Sequence, residues 1–577
     1  MRYKVKAQHP HRHVVEIEFI VTDNQEKELV IQQPSWRPGR YELGNFAKNI
    51  IAWRALDANG KELKFKKINK DRWLISTPEQ GDVHIEYSYY AHELTAGSSF
   101  FNEQMLYLNP VNCFLYVPER MHEPCEVELL GLPDTYEVAC QMEKVAHHVL
   151  KARDFDYLAD SPLIASEHLK HFHFHLNEAE VHLWFTGNFS GDFGEILEHT
   201  HAYCKKQVEV FGELPCEKYH FLYHILPYPY HHGVEHLDST VIAMGPADKF
   251  SDINFYREFL GVSSHEFYHL WNIKRIRPAE MWPYDFTKEN YSRQGYVYEG
   301  VTTYMGDLML LRSGVFDWDE YCAEFNDFLQ RHFDNYGRYN LSVAGSSWDT
   351  WLDGYVPGVF GRKVSIYVEG ALAAFILDTI LMNSTQNKNT IDELMRRLYY
   401  DFYKQNKGYS QQDYIKLIAD ISGSPQQQYV DEILEGCGYI EHYLPNSLDY
   451  VGCTLNKTDS PLLYESEWGI KVAVDAGQWV VKTIAPGSPA DHAGVAEQDV
   501  IVSINGAALA TIADLNVWLQ QHKVSAYELE LKNSLMKKLV SVQSGPDTFW
   551  HRYRISKQPN ATVAQREAFK TWTHQEF

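Results

Sequence analysis

The chain has 577 residues, of which 45% are hydrophobic and 23% charged, and its formal net charge is -24. That length accommodates three or four domains, and the composition is that of an ordinary globular protein. The acidic balance excludes nucleic acid and anionic membrane as main partners, because both demand a basic patch.

The N-terminus, MRYKVKAQHP, has no apolar h-region, and no apolar run approaches the length of a membrane span, so a soluble cytoplasmic chain without a membrane span is expected. Residues 1–187 then carry short alternating runs: HVVEIEFIV (13–21), KELVIQQ (27–33), VHIEYSYYA (83–91), EVELLGL (126–132) and KHFHFHL (170–176). Turn signals at Pro38-Gly39, Asn59-Gly60, Gly131 and Pro133 separate them, which predicts an N-terminal antiparallel β domain.

From 188 to 445 the period becomes helical, in FGEILEHTHAYCKKQVEVFGEL, FYREFLGVSSHEFYHLWNI, VTTYMGDLMLLRSGV, VEGALAAFILDTILM and IDELMRRLYYDFYKQ. A short strand, YHFLYHIL (219–226), sits near the start of this mainly α domain. Residues 446–545 return to short strands, GIKVAVDA, WVVKTIA, DVIVSING and AYELELK, around one helix at 512–522. A tail, 546–577, ends in a predicted helix over QREAFKTW (565–572) packed back on the body. The expected fold class is therefore multidomain α+β. The eight cysteines form no C-x-x-C pair and are expected as free buried thiols.

The stretch GVSSHEFYHLWNIKRIRP (261–278) contains His265-Glu266-Phe267-Tyr268-His269, an H-E-x-x-H string. With 28 histidines and 77 acidic residues, chance alone yields on the order of 0.1 such strings in the chain, so context must decide. The two histidines sit at i and i+4 of a helical segment and so point the same way, as two metal ligands require. Glu266, beside the first of them, can take a proton from a water at the metal. The third ligand must come from elsewhere. Glu280, Asp285, Glu289 and Glu299 are the downstream candidates, and Glu299 is favoured because it opens a second amphipathic helix that aims its side chain.

Two other clusters have blander readings. His171, His173 and His175 share one face of a strand, but no carboxylate or second element is tied to them, so solvated strand histidines are expected. Lys274, Arg275 and Arg277 could grip a substrate carboxylate, yet pairing with internal acids or exposure to solvent is expected.

The stretch HEFYHLWNIKRIRPAEMWPYDFTKENYSRQGYVYEG resembles the glycyl aminopeptidase family of zinc peptidases, with its H-E-Y-aromatic-H-x-W-N-x-K-R-x-x-P-A-E block. The string Gln33-Pro34-Ser35-Trp36-Arg37-Pro38-Gly39-Arg40-Tyr41 is similar to the family's N-terminal P-S-W-x-P-G-x-Y, and the C-terminal Q-x-x-x-x-x-x-W pattern recurs. The resemblance implies a thermolysin-like catalytic domain with one Zn2+ per chain, and places Glu299 as the third zinc ligand beside His265 and His269. His232-Gly233-Val234-Glu235-His236 looks like the family's G-G-L-E-H block, similar to G-A-M-E-N of the aminopeptidase N family, which implies that Gly233 and Glu235 hold the substrate's free α-amino group. Tyr367 matches a Tyr-x-x-Gly block and is implied to stabilise the oxyanion, although Glu369 stands where the family commonly has Lys.

Residues 446–545 resemble a PDZ domain through the P-G-S-P-A-x-x-A-G-V-x-x-x-D-V-I-V-S-I-N-G string (486–506), with Trp468, Gly469 and Ile470 where a peptide's C-terminal carboxylate would be held. The expected activity is removal of small N-terminal residues, Gly or Ala, from peptides with a free N-terminus. The alternatives are a PDZ-tethered endopeptidase and a PDZ scaffold with a vestigial zinc site.

Overall fold

A computed structural model describes residues 1–189, 191–355, 358–508 and 512–577. The N-terminal region packs a seven-stranded sheet against smaller four- and three-stranded sheets. Alternation does the work here: in strand Gly81–Tyr90 the residues Val83, Ile85, Tyr87 and Tyr89 all turn inward onto one core with Val15, Ile17 and Phe19. The sheet is not wholly antiparallel, because Arg2–His9 pairs in parallel with Cys125–Leu130.

The strand pairing runs across the expected boundary at 187/188. Strands Lys170–Leu176 and Ala179–Thr186 belong to the sheet of the next domain, in the order Lys170–Leu176, Ala179–Thr186, Lys218–Ile225, Ser239–Gly245, Tyr230–Glu235. Helix Phe193–Phe211 makes the crossover that lets Ala179–Thr186 and Lys218–Ile225 pair in parallel. Alternation reads the same in either sheet, so periodicity alone could not assign the two strands.

Behind this sheet the helices share one large core. Helix Val368–Thr385 has mean hydropathy 1.2 over 18 residues, enough by length and composition alone to cross a membrane, although Glu369 and Asp378 interrupt its apolar run. It is apolar all round because it is a central helix, with 78% of its residues buried against its neighbours.

The 445/446 boundary falls inside helix Ile440–Tyr450, which carries Pro445 in its interior. The PDZ-like sheet runs in the order Ile470–Asp475, Gln478–Ile484, Val500–Ile504, Ala526–Lys532, Lys537–Gln543. The tail holds more than a helix: Arg552–Lys557 pairs with Cys453–Thr458, and helix Val563–Thr573 buries Phe569 and Trp572 in the core of the helical domain. All eight cysteines are free, and six of them are buried.

Candidate active site

Helix Ile253–Tyr268 starts on Asp252, whose carboxylate accepts from the Asn254 and Phe255 N–H groups, and it ends at His269. His265 and His269 therefore lie one turn apart on one face. Their Nε2 atoms are 3.0 Å apart. Both face Glu299 Oε2, at 3.7 Å from His265 and 3.4 Å from His269.

Glu299 does not open an α-helix as expected. It sits in a π-helical turn, Tyr296–Val301, that precedes α-helix Thr302–Ser313. Such turns re-aim a side chain that regular winding would send elsewhere. The other candidates are occupied or apart: Glu280 accepts from Ser292, Asp285 accepts from Thr287, and among the described residues none of Glu280, Asp285 or Glu289 joins a metal-competent group with the histidines.

The donor set fits a zinc ion. The ligand atoms of His265, His269 and Glu299 all lie within 4.8 Å of one another. Two imidazole nitrogens and one carboxylate oxygen are a catalytic zinc set that keeps a coordination position open. The Asn272 carbonyl, 2.6 Å from His269 Nδ1, can only accept, so Nδ1 bears hydrogen and Nε2 is the atom left to ligate.

The electrostatics call for a cation. Burial alone would lower the pKa of His269, yet facing Glu235 and Glu299 raise it to about 10. Burial opposes ionisation of Glu299, but His269 and His265 hold it down at about 2. Glu266 and Glu235 are pushed up, chiefly by burial. Glu235 Oε1 and Glu266 Oε2 are buried with no hydrogen-bond partner among the described residues. Three carboxylates in one desolvated pocket ionise together only with positive charge among them.

Glu235 ends strand Tyr230–Glu235, the edge of its sheet, so one side of that strand is open to an incoming backbone. Gly233 lets the strand lie close to the Glu266 side chain: a Cβ there would lie 2.1 Å from Glu266 Oε1. Gly39, at φ +83°, lies against Glu235 in the same way, with a Cβ position 2.4 Å from Oε2. The N-terminal domain therefore closes the site. Its loop is held by Ser35 N–H donating to the Phe286 carbonyl at 2.7 Å and Trp36 Nε1–H to the Asp285 carbonyl at 2.7 Å.

Tyr367 lies just before helix Val368–Thr385, its ring 6.3 Å from that of His265. Burial and the nearby Glu299 raise its pKa well above the ordinary value, so the phenol stays protonated and can donate. Its hydroxyl is 3.4 Å from that of Tyr355, a residue the sequence did not single out. Arg40 stacks over the Tyr355 ring at 5.3 Å. Glu369 turns away from the site and pairs with His332 at 2.6 Å.

Lys274 pairs with Asp160 at 2.8 Å and Arg275 with Asp238 at 2.6 Å, as expected of internal ion pairs, while Arg277 stacks on Tyr284 at 3.6 Å. None of the three is exposed.

In the PDZ-like region the expected carboxylate loop is largely used up. Trp468 and Ile470 are wholly buried. The Gly469 N–H donates to the Glu465 carbonyl at 3.1 Å, and the Ala485 N–H donates to the Gly469 carbonyl at 2.7 Å. Phe549 lies over this loop, 3.3 Å from the Cβ position of Gly469. Among the described residues no strand pairs with the outer edge of strand Ile470–Asp475, but Lys471 on it is ion-paired to Asp334 of the helical domain.

Three family models match the sequence: Peptidase M61 N-terminal domain over residues 2–167, M61 glycyl aminopeptidase over 258–373, and PDZ domain over 480–532. No curated protein sequence matches it. An aminopeptidase N family protein from Idiomarina loihiensis shares the fold, with TM-score 0.91, 24% identity and 99% of each chain covered. An M1 zinc metallopeptidase from Deinococcus radiodurans is less similar, with TM-score 0.45 and 14% identity over 75% of this chain and 93% of that one. A mutant of it bound to a Tyr-Ser-Ala substrate gives 0.47 and 15% over 76% and 93%.

Proposed function

Starting from a chain that carries the N-terminal and catalytic domains of the M61 glycyl aminopeptidase family, we propose that it is a zinc-dependent aminopeptidase. The observation that carries this reading is the convergence of His265 Nε2, His269 Nε2 and Glu299 on one point, with Glu266 beside it and Glu235 on the neighbouring edge strand.

His265, His269 and Glu299 would hold the ion. When bound, zinc would act as a Lewis acid toward the scissile carbonyl and acidify an adjacent water. Glu266 takes the proton of the attacking water and returns it to the leaving amine. Tyr367 donates its phenolic hydrogen to the oxygen on which negative charge develops. Glu235 holds the α-ammonium by a charge-assisted hydrogen bond, which fixes the first peptide bond over the ligand set and makes cleavage exo. The edge strand Tyr230–Glu235 offers backbone groups to align the substrate.

A preference for small N-terminal residues, Gly or Ala, follows from the family likeness. A C-terminal peptide at the PDZ-like region would have to use the outer edge of strand Ile470–Asp475, since the Gly469 N–H is already engaged.

The test is hydrolysis of aminoacyl amides by zinc-loaded protein, with and without chelator, using one peptide in free and N-acetylated forms. Chelator-sensitive cleavage of the free form alone is expected. Equal cleavage of both forms would favour the endopeptidase, and no cleavage with zinc bound would favour the scaffold.

A further inference from the structure

We propose that Arg37 is a substrate-binding residue that takes a carboxylate of the peptide, a reading that rests on the aminopeptidase assignment above. Of the neighbouring buried cations, two have acid partners and the third lies on an aromatic face. Lys274 has Asp160, Arg275 has Asp238, and Arg277 is stacked on Tyr284. Arg37 is only 4% exposed, yet no carboxylate lies within ion-pair distance of it among the described residues.

Among the described residues its side-chain hydrogen bonds are two marginal ones at 3.5 Å, to the carbonyl of Pro38 and to His232 Nε2, with none from its Nε. A guanidinium carries five donors in a planar fork suited to a carboxylate. Burying one with so little compensation is costly unless a ligand completes it.

Its place defines the ligand. Arg37 touches the edge strand at His232, one residue from Gly233 and three from Glu235. The same loop covers the Glu235 carboxylate two residues later, at Gly39. The guanidinium is packed in place, since a Cβ at Gly97 would lie 2.2 Å from its terminal nitrogen. A substrate whose ammonium meets Glu235 would therefore present to Arg37 a group close to its N-terminus. Two sources supply a carboxylate there: the side chain of an acidic N-terminal residue, or the free C-terminus of a dipeptide.

The experiment compares kcat/KM of zinc-loaded wild type, Arg37→Gln and Arg37→Lys on Ala-Ala-amide, Ala-Ala and Asp-Ala-amide. Wild type should prefer one carboxylate-bearing substrate over Ala-Ala-amide, and which one identifies the source. Arg37→Gln should reduce that preference by about 10- to 100-fold, the size of a charge-assisted hydrogen bond, and Arg37→Lys should retain part of it. Absence of a preference in wild type, or an equal fall on all three substrates, would overturn the proposal and leave Arg37 as a counter-charge for Glu235. If wild type turns over none of the three, the peptidase reading fails. Calorimetric binding of Ala-Ala and Asp-Ala-amide against Ala-Ala-amide then decides for Arg37, and equal affinities in wild type and Arg37→Gln overturn it. Thermal melting of the three proteins separates misfolding of the Gln variant from loss of binding, and Arg37→Lys supplies the comparison if it misfolds.

Discussion

Two histidine clusters in this molecule bring imidazole nitrogens to 3.0 Å of each other, His265 with His269 and His171 with His182. They differ in everything else. In the second cluster, strand register lines up His173, His182 and His220 across three neighbouring strands. The rings of His182 and His220 stack at 4.7 Å, and Trp184 Nε1–H donates to His220 Nδ1 at 3.2 Å. The nearest carboxylate, Glu180, is shared between His182 at 3.4 Å and Lys218 at 3.1 Å. A strand repeats side chains in rows, so the nitrogens run along the sheet and no three ligand atoms converge there among the described residues. A helix turn presents two imidazoles to one point, and a separate π-helical turn delivers the Glu299 carboxylate there. The consequence appears in proton affinity: carboxylates lift His269 to about 10, while burial and His171 lower His182 to about 4.

The comparison breaks most visibly at Glu266. Glu266→Gln keeps the shape of the site but cannot accept a proton. Zinc content should persist and kcat should fall about 10²- to 10⁴-fold. Activity above a tenth of wild type would remove Glu266 as the base.

Next in size is the ligand count. Glu299→Ala should leave a folded protein with zinc content well below one per chain, because two imidazoles make a poor site. Paired replacement of His171 and His182 by Ala should leave zinc content at one per chain. Metal analysis showing the reverse pattern would exchange the roles assigned to the two clusters.

A smaller effect is expected at Glu235. Glu235→Ala should narrow the preference for free over N-acetylated peptide by about 10- to 100-fold in kcat/KM. An unchanged ratio would remove Glu235 from the site.

The smallest effect belongs to the strand cluster. Above the ordinary pKa of 6.5 His182 is neutral folded and unfolded, so it adds no pH dependence. Between 6.5 and about 4 the unfolded chain binds the proton first, so stability falls as pH falls. His182→Gln should flatten part of the decline in melting temperature across that window, and a profile identical to wild type would show that other groups set it.

How much of this could be read from the sequence follows from distance along the chain. His265, Glu266 and His269 lie within one helical turn, so their spacing announces them. Glu299 could be weighed against three other acids, but the π-helical turn that aims it leaves no periodic trace, because i→i+5 winding covers a single turn. Arg37 stood in view inside a quoted string, yet its partner His232 is 195 positions away, and nothing local says that a cation there goes unpaired. The two strands that pair across the expected boundary alternate like any others. Only the parallel pairing between Trp184 and Leu222 and their neighbours assigns them. The PDZ-like string was legible, but Phe549, which lies over its loop, belongs to a segment with no motif.

Helix Val563–Thr573 has a bearing on how the molecule comes into being. Trp572 Nε1–H donates to the Tyr304 hydroxyl at 2.8 Å, that hydroxyl donates to buried Asp378 at 2.7 Å, and Arg312 Nε–H donates to the Trp572 carbonyl at 2.8 Å. During synthesis the residues that would hold zinc leave the ribosome some three hundred positions before Trp572 does, at synthesis rates of about 5–20 residues per second. A nascent chain therefore displays His265, His269 and Glu299 for tens of seconds over a core that still lacks Trp572.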